Sequence, residues 1–505
     1  MKTVRPITIA ITAMGGQGGG VLADWIVGLG QQNGYLAQST SVPGVAQRTG
    51  ATIYYVELFP ADAAKKAKRA PILAMMPVPG DVDIVIASEM MEAGRALMRG
   101  FVTGRTTLIA STHRVYAIAE KEPLGDGRQD PAEVQALAAK TAGRYIAFDM
   151  DAAAQATNSF ISSVLFGALA GSDALLFSRN AYEKIIKNGG KAVQANLRGF
   201  ALGFANSAGT PPAIPASPTP PVEPPAPAVA PLMARLESDF APACHDMLRH
   251  GLKRVVDFQD PAYGTLYLDR MSAIHKLDKA YNGTRRRWRL TRDVARYLAL
   301  KMAYEDTVRV ADLKTRASRF ARFAQEVGAV DGQIITITEF MHPRVEELCD
   351  ILPAPLGRFI LRTPWAKKFM GLFFGKGRRI ETTSLHGFLL LRLIASLKPL
   401  RRSSLRFGQE TKHIETWLDS ITSAAPANYA LACELAGLQR LIKGYGDTYE
   451  RGMKNYATIT DALGNFADAK NAHKHVKTLK EAALKDEDGL ALNTALEKLQ
   501  NGRTT

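Results

Sequence analysis

The sequence predicts a three-layer α/β domain with a Rossmann-like parallel sheet, followed by a mostly α-helical domain. Strand-like and helical segments alternate over the first 205 of the 505 residues, which favours a parallel sheet covered by helices. A proline-rich segment interrupts this pattern, and helical periodicity dominates after it. We therefore predict an α/β domain over residues 1–205, a linker over 206–232 and a helical domain over 233–505.

Short apolar runs place the elements of the first domain. They predict strands at residues 7–13, 51–58, 82–87, 106–110 and 145–149, with helices at 20–33, 89–99, 131–142 and 158–171. Parallel sheets bind ligands or partners at the carboxyl ends of their strands. The turn after the first strand and the segment 109–114 both lie at such ends, so we expect them to share one rim. In the second domain, only 333–340 has the composition of a strand. Helical patterning there predicts helices at 234–256, 263–280, 291–326, 343–352, 381–398, 409–421, 426–443, 447–462 and 467–500.

Glycines are concentrated directly after the first strand, in a run that includes Gly15, Gly16, Gln17 and Gly18. A strand, a glycine turn and a helix in this order leave free backbone N–H groups at a helix start, which favours an anion. The spacing lacks the third glycine or alanine of a dinucleotide fingerprint, and no Lys-Ser/Thr pair follows as in a P-loop. Both a structural turn and a ligand or partner contact therefore remain open.

Several side chains near this turn are candidate functional groups. The Gln17 amide is expected either to contact a ligand or subunit or to close the turn. Arg48, before the second predicted strand, suits a phosphate or carboxylate clamp or an interface ion pair. His113 is a weak candidate for acid–base catalysis, with a structural role as the alternative. Glu89 and Glu92 are expected to cap a helix.

The cysteine content limits the metal chemistry of this chain. Only Cys244, Cys349 and Cys433 are present, and none belongs to a C-x-x-C pair. A cubane iron–sulfur cluster usually needs four thiolates, and no zinc motif is visible, so we expect no metal site here. No apolar stretch is long enough to span a membrane, and the amino terminus does not resemble a signal peptide. We expect a cytoplasmic protein.

The formal net charge of +16 lies mainly in the second half of the chain, since residues 1–205 carry only +4. Such a surface could meet nucleic acid, an acidic subunit or an anionic substrate. Basic residues are interleaved with aromatic ones at Arg285–Arg289 and around Trp365, Lys367, Lys368 and Phe369. These segments could bind RNA or lie on an anionic membrane, or they could be solvated or face a subunit.

The glycine turn, together with a later Gly-x-x-x-Arg-x-Gly segment that contains Arg48, resembles the gamma domain of the 2-oxoacid:ferredoxin oxidoreductases. Further phrases, including Asp81–Glu89, Ile109–Tyr116 and Asn196–Phe200, are similar to the beta-subunit family of indolepyruvate ferredoxin oxidoreductase. This similarity covers residues 1 to about 205. Later phrases look like the helical C-terminal extension of the long members of that family.

The resemblance implies a subunit that supports the oxidative decarboxylation of aryl 2-oxoacids with coenzyme A, giving arylacetyl-CoA, carbon dioxide and reduced ferredoxin. It implies an alpha subunit as partner, which carries thiamine diphosphate, Mg and 4Fe-4S clusters, with no cofactor bound by this chain alone. Gly15, Gly16, Gln17, Gly18 and Arg48 would then contribute to an active-site rim or to coenzyme A binding. No nucleic acid partner is expected.

Two other functions remain as alternatives. A stand-alone NAD(P)-dependent oxidoreductase is weakened by the incomplete fingerprint and by Thr40 and Ser41, which stand where an acidic ribose-binding residue is expected. A basic RNA-binding or scaffold protein rests on the C-terminal charge alone, and steeply salt-dependent RNA affinity would identify it.

Overall fold

The chain divides into two compact units, Met1–Glu223 and Pro224–Thr505. The structure, a computed structural model, describes residues 4–42, 51–121, 125, 127–190, 192–208, 227–327, 329, 332–342, 344–374, 377–444, 446–463 and 470–501. Each unit has hydrophobic core clusters of its own.

A six-stranded sheet forms the centre of the first unit. Its strands are β1 Ile7–Met14, β2 Tyr35–Val42, β3 Ala51–Pro60, β4 Ile84–Ala87, β5 Thr107–Ser111 and β6 Arg144–Phe148. Their order is β2-β3-β1-β4-β5-β6. Neighbours from β1 to β6 are parallel, whereas β3 runs antiparallel to both β1 and β2. The predicted α/β fold class is confirmed, and the sheet differs from a wholly parallel one at β3, which runs opposite to the other five strands.

Helices cover both faces of this sheet. They are α1 Gly19–Gln32, α2 Ala61–Ala67, α3 Met90–Met98, α4 Ile118–Lys121, α5 Pro131–Thr141, α6 Met150–Ala156, α7 Ile161–Gly171, α8 Arg179–Asn188 and α9 Val193–Ser207. Successive side chains of β1 point to opposite faces of the sheet. Ile9 and Ile11 pack in the core that contains α1 and α7, whereas Ala10 packs in a second core that contains α3 and α5. All eleven residues of α7 are buried. This layering is the three-layer arrangement that the sequence predicts.

Strand β2 was absent from the sequence-based prediction. Its sequence, Tyr-Leu-Ala-Gln-Ser-Thr-Ser-Val, has few of the apolar residues of a buried strand because β2 lies at the edge of the sheet and is half exposed. Two polar side chains of β2 donate hydrogen bonds to backbone carbonyls of the segment that follows α2. The Gln38 amide donates to the Ala74 carbonyl at 3.1 Å, and the Thr40 hydroxyl donates to the Met75 carbonyl at 2.6 Å.

The second unit is mostly helical. Its helices are α10 Ala230–Asp239, α11 Pro242–Phe258, α12 Pro261–Ala280, α13 Arg289–Met302, α14 Thr307–Lys314, α15 Ala317–Glu326, α16 Val345–Ile351, α17 Ala354–Arg362, α18 Pro364–Phe374, α19 Leu385–Ala395, α20 Leu405–Ala424, α21 Tyr429–Gly437, α22 Gly446–Leu463, α23 Ala472–Ala483 and α24 Leu490–Asn501, with short 3-10 helices at Lys398–Ser403 and Leu438–Leu441. Within the described ranges, no helix is both long and apolar enough to cross a bilayer.

Three details of this unit differ from the sequence-based prediction. The predicted strand 333–340 is reduced to β7 Thr338–Met341, which pairs antiparallel with β8 Arg378–Glu381. The predicted helix 291–326 is three helices, because Asp306 caps a new helix at α14. Helices α17 and α18 lie where the sequence analysis predicts no helix; each carries a proline in its first turn, a position that a helix tolerates.

Candidate functional site

Polar side chains from three loops meet where strands β1, β4 and β5 end. Gln17 follows β1, Ser88 follows β4 and His113 follows β5. The Gln17 Nε2 atom lies 3.2 Å from the His113 Nε2 atom. The expectation that the glycine turn and the segment 109–114 share one rim is therefore confirmed.

The Gln17 amide is fixed by contacts at both of its ends. Its Oε1 atom accepts from the Met14 backbone N–H at 3.2 Å and from the Ser88 hydroxyl. The amide nitrogen therefore faces His113, and because an amide N–H₂ only donates, the His113 Nε2 atom accepts. Gln17 thus closes the turn, as one of its two predicted roles requires, and also bridges two strand ends. Its other predicted role, a contact with a ligand or a subunit, stays a prediction.

The His113 ring is held by its second nitrogen as well. Nδ1 lies 2.7 Å from the Ser111 hydroxyl oxygen, which also accepts the Met150 backbone N–H at 3.0 Å. With Nε2 accepting from Gln17, Nδ1 carries the proton and donates to Ser111. Proton transfer by this imidazole would require one of these two contacts to break, so the geometry favours His113 as a residue that positions Gln17.

The glycine turn itself needs glycine for two different reasons. Gly16 and Gly18 have positive φ angles of 92° and 70°, and Gly18 precedes the first residue of α1. Gly19 has no room for a side chain, because a Cβ atom there would lie 2.6 Å from the Tyr54 ring and 2.8 Å from the Ala13 Cβ. Gly16 is exposed, and a Cβ there would meet no atom within 4 Å. The turn is therefore packed at Gly19 and open to an approaching group at Gly16.

Replacing Gly19 with alanine is expected to lower the free energy of unfolding by about 1–3 kcal/mol, because strand and ring atoms must shift to admit a methyl group. Chemical denaturation of the purified chain measures this change. Gly104→Ala is the matched control, since a Cβ at Gly104 meets nothing within 4 Å; its effect should stay within about 0.5 kcal/mol. Equal stability of the two variants would contradict the packing described for the turn.

A buried ion-pair network supports the same edge of the sheet. Glu89, fully buried, caps α3 by accepting the Glu92 N–H at 2.9 Å, which confirms its predicted capping role. Its second oxygen accepts from the Arg114 guanidinium at 2.8 Å, and Arg114 also pairs with Glu120. Glu92 lies in the first turn and pairs with Arg95. Burial raises the pKa of the Glu92 carboxyl, although the positive charge of Arg95 opposes this.

Ser88, Ser111 and Arg114 complete this site but were not selected as site residues from the sequence. A serine or arginine directly after a buried strand is too common to mark a site, and only the closeness of the strand ends identifies these three. Of the candidates selected, Gly15, Gly16, Gln17, Gly18 and His113 all lie at this rim.

Arg48 lies outside the described residues. Ala51, the first residue of β3, pairs with Met14, the last residue of β1. The described part of β3 therefore begins beside the glycine turn, three residues after Arg48 in the sequence. The proposed role of Arg48 as an anion clamp stays a prediction.

The chain does not suit an iron–sulfur cluster. Its three cysteines are all buried, and all belong to the second unit. Burial raises the pKa of the Cys244 and Cys433 thiols to about 11, which disfavours the thiolate form that binds metal. Among the described residues, no group of three or more His, Cys, Asp or Glu side chains is arranged to hold a metal ion.

Comparisons with protein families find two matches, one in each unit. Residues 8–206 match the family described as pyruvate ferredoxin/flavodoxin oxidoreductase, so the first unit contains a domain of that type. This match indicates a subunit of a 2-oxoacid:ferredoxin oxidoreductase. Residues 244–462 match a family of unknown function, DUF6537.

Several solved structures are similar to this chain and share 16% sequence identity with it. They include the pyruvate oxidoreductase subunit PORC of Thermotoga maritima (40% of this chain, 96% of that chain, TM-score 0.28) and the keto/oxoacid ferredoxin oxidoreductase gamma subunit of Geobacter sulfurreducens (40%, 98%, 0.27). A third is the 2-oxoglutarate:ferredoxin oxidoreductase of Magnetococcus marinus (41%, 31%, 0.29). No curated protein matches the sequence.

Proposed function

We propose that this chain is the beta subunit of an indolepyruvate, or more generally arylpyruvate, ferredoxin oxidoreductase. It supports the oxidative decarboxylation of aryl 2-oxoacids to arylacetyl-CoA, with ferredoxin as the electron acceptor. The observation that carries the proposal is the rim built by Gln17, Ser88 and His113 beside an open glycine turn, within a domain that matches the oxidoreductase family.

The redox cofactors belong to a partner in this proposal. The three buried cysteines of this chain are too few for a four-thiolate cluster, so the iron–sulfur clusters require another subunit. Thiamine diphosphate and Mg are assigned to the same alpha subunit. Thiamine diphosphate supplies the carbanion chemistry of decarboxylation there, and the contribution of this chain is to bind, orient and enclose.

The rim is suited to contact a charged group of coenzyme A at the subunit boundary. Gly16 is exposed without side-chain cover, so a phosphate can approach the backbone closely. The first-turn N–H groups of α1 lack intrahelical acceptors and lie at the positive end of the helix dipole. Gln17 holds this turn against the ends of β4 and β5, which fixes its direction.

The order of the strands argues against the nicotinamide alternative. A dinucleotide-binding unit places the strand after its first helix directly beside the first strand. Here β3 lies between β1 and β2, so the strand that follows α1 is at the sheet edge. Thr40, near the end of β2, donates its hydroxyl to the Met75 carbonyl and offers no carboxylate to a ribose.

Replacing Gln17 with alanine in the assembled oxidoreductase is expected to raise the KM for coenzyme A about fivefold to tenfold, with kcat changed less. The loss corresponds to about 1–1.5 kcal/mol, as expected when a turn loses the hydrogen bonds that fix it. Gln155→Ala is the control, because Gln155 is exposed on α6 and its side chain, among the contacts described, bonds only Asp151 of the same helix. An unchanged KM in Gln17→Ala would remove coenzyme A from this rim.

A further inference from the structure

Helices α17 and α18 of the second unit turn large apolar side chains towards solvent. Leu356 and Phe359 lie three residues apart on α17, and Trp365, Phe369 and Leu372 follow a four-then-three spacing on α18, which places each set on one helix face. Their exposed fractions run from 47% for Leu356 to 73% for Leu372. The Phe359 and Trp365 rings lie 6.4 Å apart between centroids and join the two sets. We call these five side chains the outer stripe.

The fold does not need the outer stripe for its own core. The opposite faces of the two helices supply Ile360 and Ala366, which are buried with Cys349 in a separate core cluster. Gly357 is also turned inward, where a Cβ would lie 2.6 Å from the Cys349 carbonyl oxygen. Each helix therefore already has an inward face, and the stripe is a second apolar face that water covers in the isolated chain.

Positive charge surrounds this stripe. Residues 351–380 contain seven Lys and Arg and no Asp or Glu. The side chains of Arg358, Arg362, Lys367 and Lys368 are exposed on the same two helices. Lys367 pairs with Glu346 of α16 at 2.6 Å, and Glu346 is itself half exposed. The surface therefore combines aromatic and aliphatic side chains with cations that extend into solvent.

We propose that the outer stripe and its cations bind the surface of an anionic phospholipid bilayer, with α17 and α18 lying in the interface. Large apolar side chains on one face, bordered by Lys and Arg, are the pattern of helices that lie at the headgroup level. Aromatic rings settle at the acyl boundary, while the long Lys and Arg side chains reach the lipid phosphates. The anchoring is peripheral, since no described helix crosses a bilayer.

Two properties of the surface favour a bilayer over other partners. Lys367 and Lys368 lie in the sequence between Trp365 and Phe369 of the outer stripe. Because Lys is depleted in protein–protein interfaces, this composition argues against a protein partner. Single-stranded nucleic acid is bound by stacking on aromatic rings, whereas Leu356 and Leu372 offer no such surface. Acyl chains accept aliphatic and aromatic side chains alike, and anionic headgroups complement the positive charge.

The test is sedimentation of the full-length chain with vesicles of phosphatidylcholine and phosphatidylglycerol at a 70:30 ratio, and with phosphatidylcholine alone. Binding is expected to the anionic vesicles, to weaken as salt rises, and to fall at least about tenfold in the triple variant Trp365→Ser, Phe369→Ser, Leu372→Ser. Leu176→Ser is the control, because Leu176 is 94% exposed in the first unit and its loss should leave binding unchanged. Circular dichroism confirms that each variant is folded.

Tryptophan fluorescence provides a second readout of the same proposal. Vesicles with brominated acyl chains should quench wild-type fluorescence, and Trp365→Phe should abolish this quenching while it retains binding. This assignment is possible because Trp288 and Trp417 are buried and Trp25 lies in the other unit. The experiments do not depend on the proposed oxidoreductase function.

Several results would overturn the proposal. They are no binding to anionic vesicles at about 0.1 M salt, binding that survives the triple variant, and a stripe that binds RNA oligonucleotides but no vesicles. Protection of Trp365 from acrylamide in an assembled complex that fails to bind vesicles would also overturn it, and would assign the stripe to a protein partner.

Discussion

Replacing Arg401 with methionine is expected to lower the free energy of unfolding of the second unit by about 3–5 kcal/mol, because it leaves a buried carboxylate without its counter-charge. The Arg401 and Asp306 side chains are only 1% and 4% exposed. The guanidinium Nε donates to one Asp306 oxygen at 2.7 Å and Nη2 donates to the other at 3.1 Å. The third nitrogen, Nη1, donates to the Phe258 carbonyl at 2.7 Å and to the Gln259 amide oxygen at 2.9 Å.

Urea unfolding followed by tryptophan fluorescence measures this loss, since Trp288 and Trp417 are buried in the second unit. The adjacent residue provides the control. Arg402 also pairs with a carboxylate, Asp260 at 2.8 Å, but both side chains are more than a third exposed. Arg402→Met should therefore cost at most about 1 kcal/mol. Similar losses in the two variants would show that burial does not govern the strength of these pairs.

Replacing Gly167 with valine is expected to lower the stability of the first unit by about 3 kcal/mol or more, because helices α7 and α9 touch through their backbones. A Cβ at Gly167 would lie 2.1 Å from the Phe200 carbonyl oxygen, and a Cβ at Gly203 would lie 2.1 Å from the Val164 carbonyl oxygen. The two helices cannot separate cheaply, since every residue of α7 is buried.

Thermal unfolding of the chain should show a transition of the first unit lowered by about 6–12 °C in Gly167→Val. Hydrogen exchange of peptides from α7 and α9 should rise with it. Gly28→Ala is the control, because Gly28 lies inside α1 and a Cβ there has only an ordinary contact with Ile185 at 3.6 Å. Alanine in that helix should be neutral or stabilising by up to about 1 kcal/mol. Unchanged exchange in α7 would contradict the backbone contact.

The fold of the first unit could be read from the sequence wherever strands are buried. Strands β1, β4 and β5 are recognisable as continuous apolar runs, because both faces of each strand are buried in hydrophobic cores. The edge strand β2 is half exposed, so it does not require an apolar sequence, and its polar composition gives no strand signal. In the second unit, α17 and α18 were not predicted, since local signals do not distinguish a proline in a first helical turn from a proline that breaks a helix.

The position of the candidate site could be predicted from the sequence, but several of the residues that form it could not. The rule that strand ends of parallel neighbours share an edge correctly brought Gln17 and His113 together. The partners of these residues, Ser88 and Ser111, come from the ends of β4 and β5, and their roles depend on distances of a few ångströms. Likewise, the Asp306 carboxylate caps α14 and also binds Arg401, which is 95 residues away in the sequence and is not indicated by any local pattern.

The central claim is that this chain is one subunit of a cofactor-bearing oxidoreductase, and the visible absorption spectrum of its purified complex tests it most directly. The chain is co-expressed with the proteins encoded beside it and purified through its own tag. We expect a brown complex whose iron and thiamine diphosphate reside in a larger partner, and whose absorption bleaches when indolepyruvate or phenylpyruvate is added with coenzyme A. A colourless protein without a partner, or a complex that responds only to non-aromatic 2-oxoacids, would contradict the account.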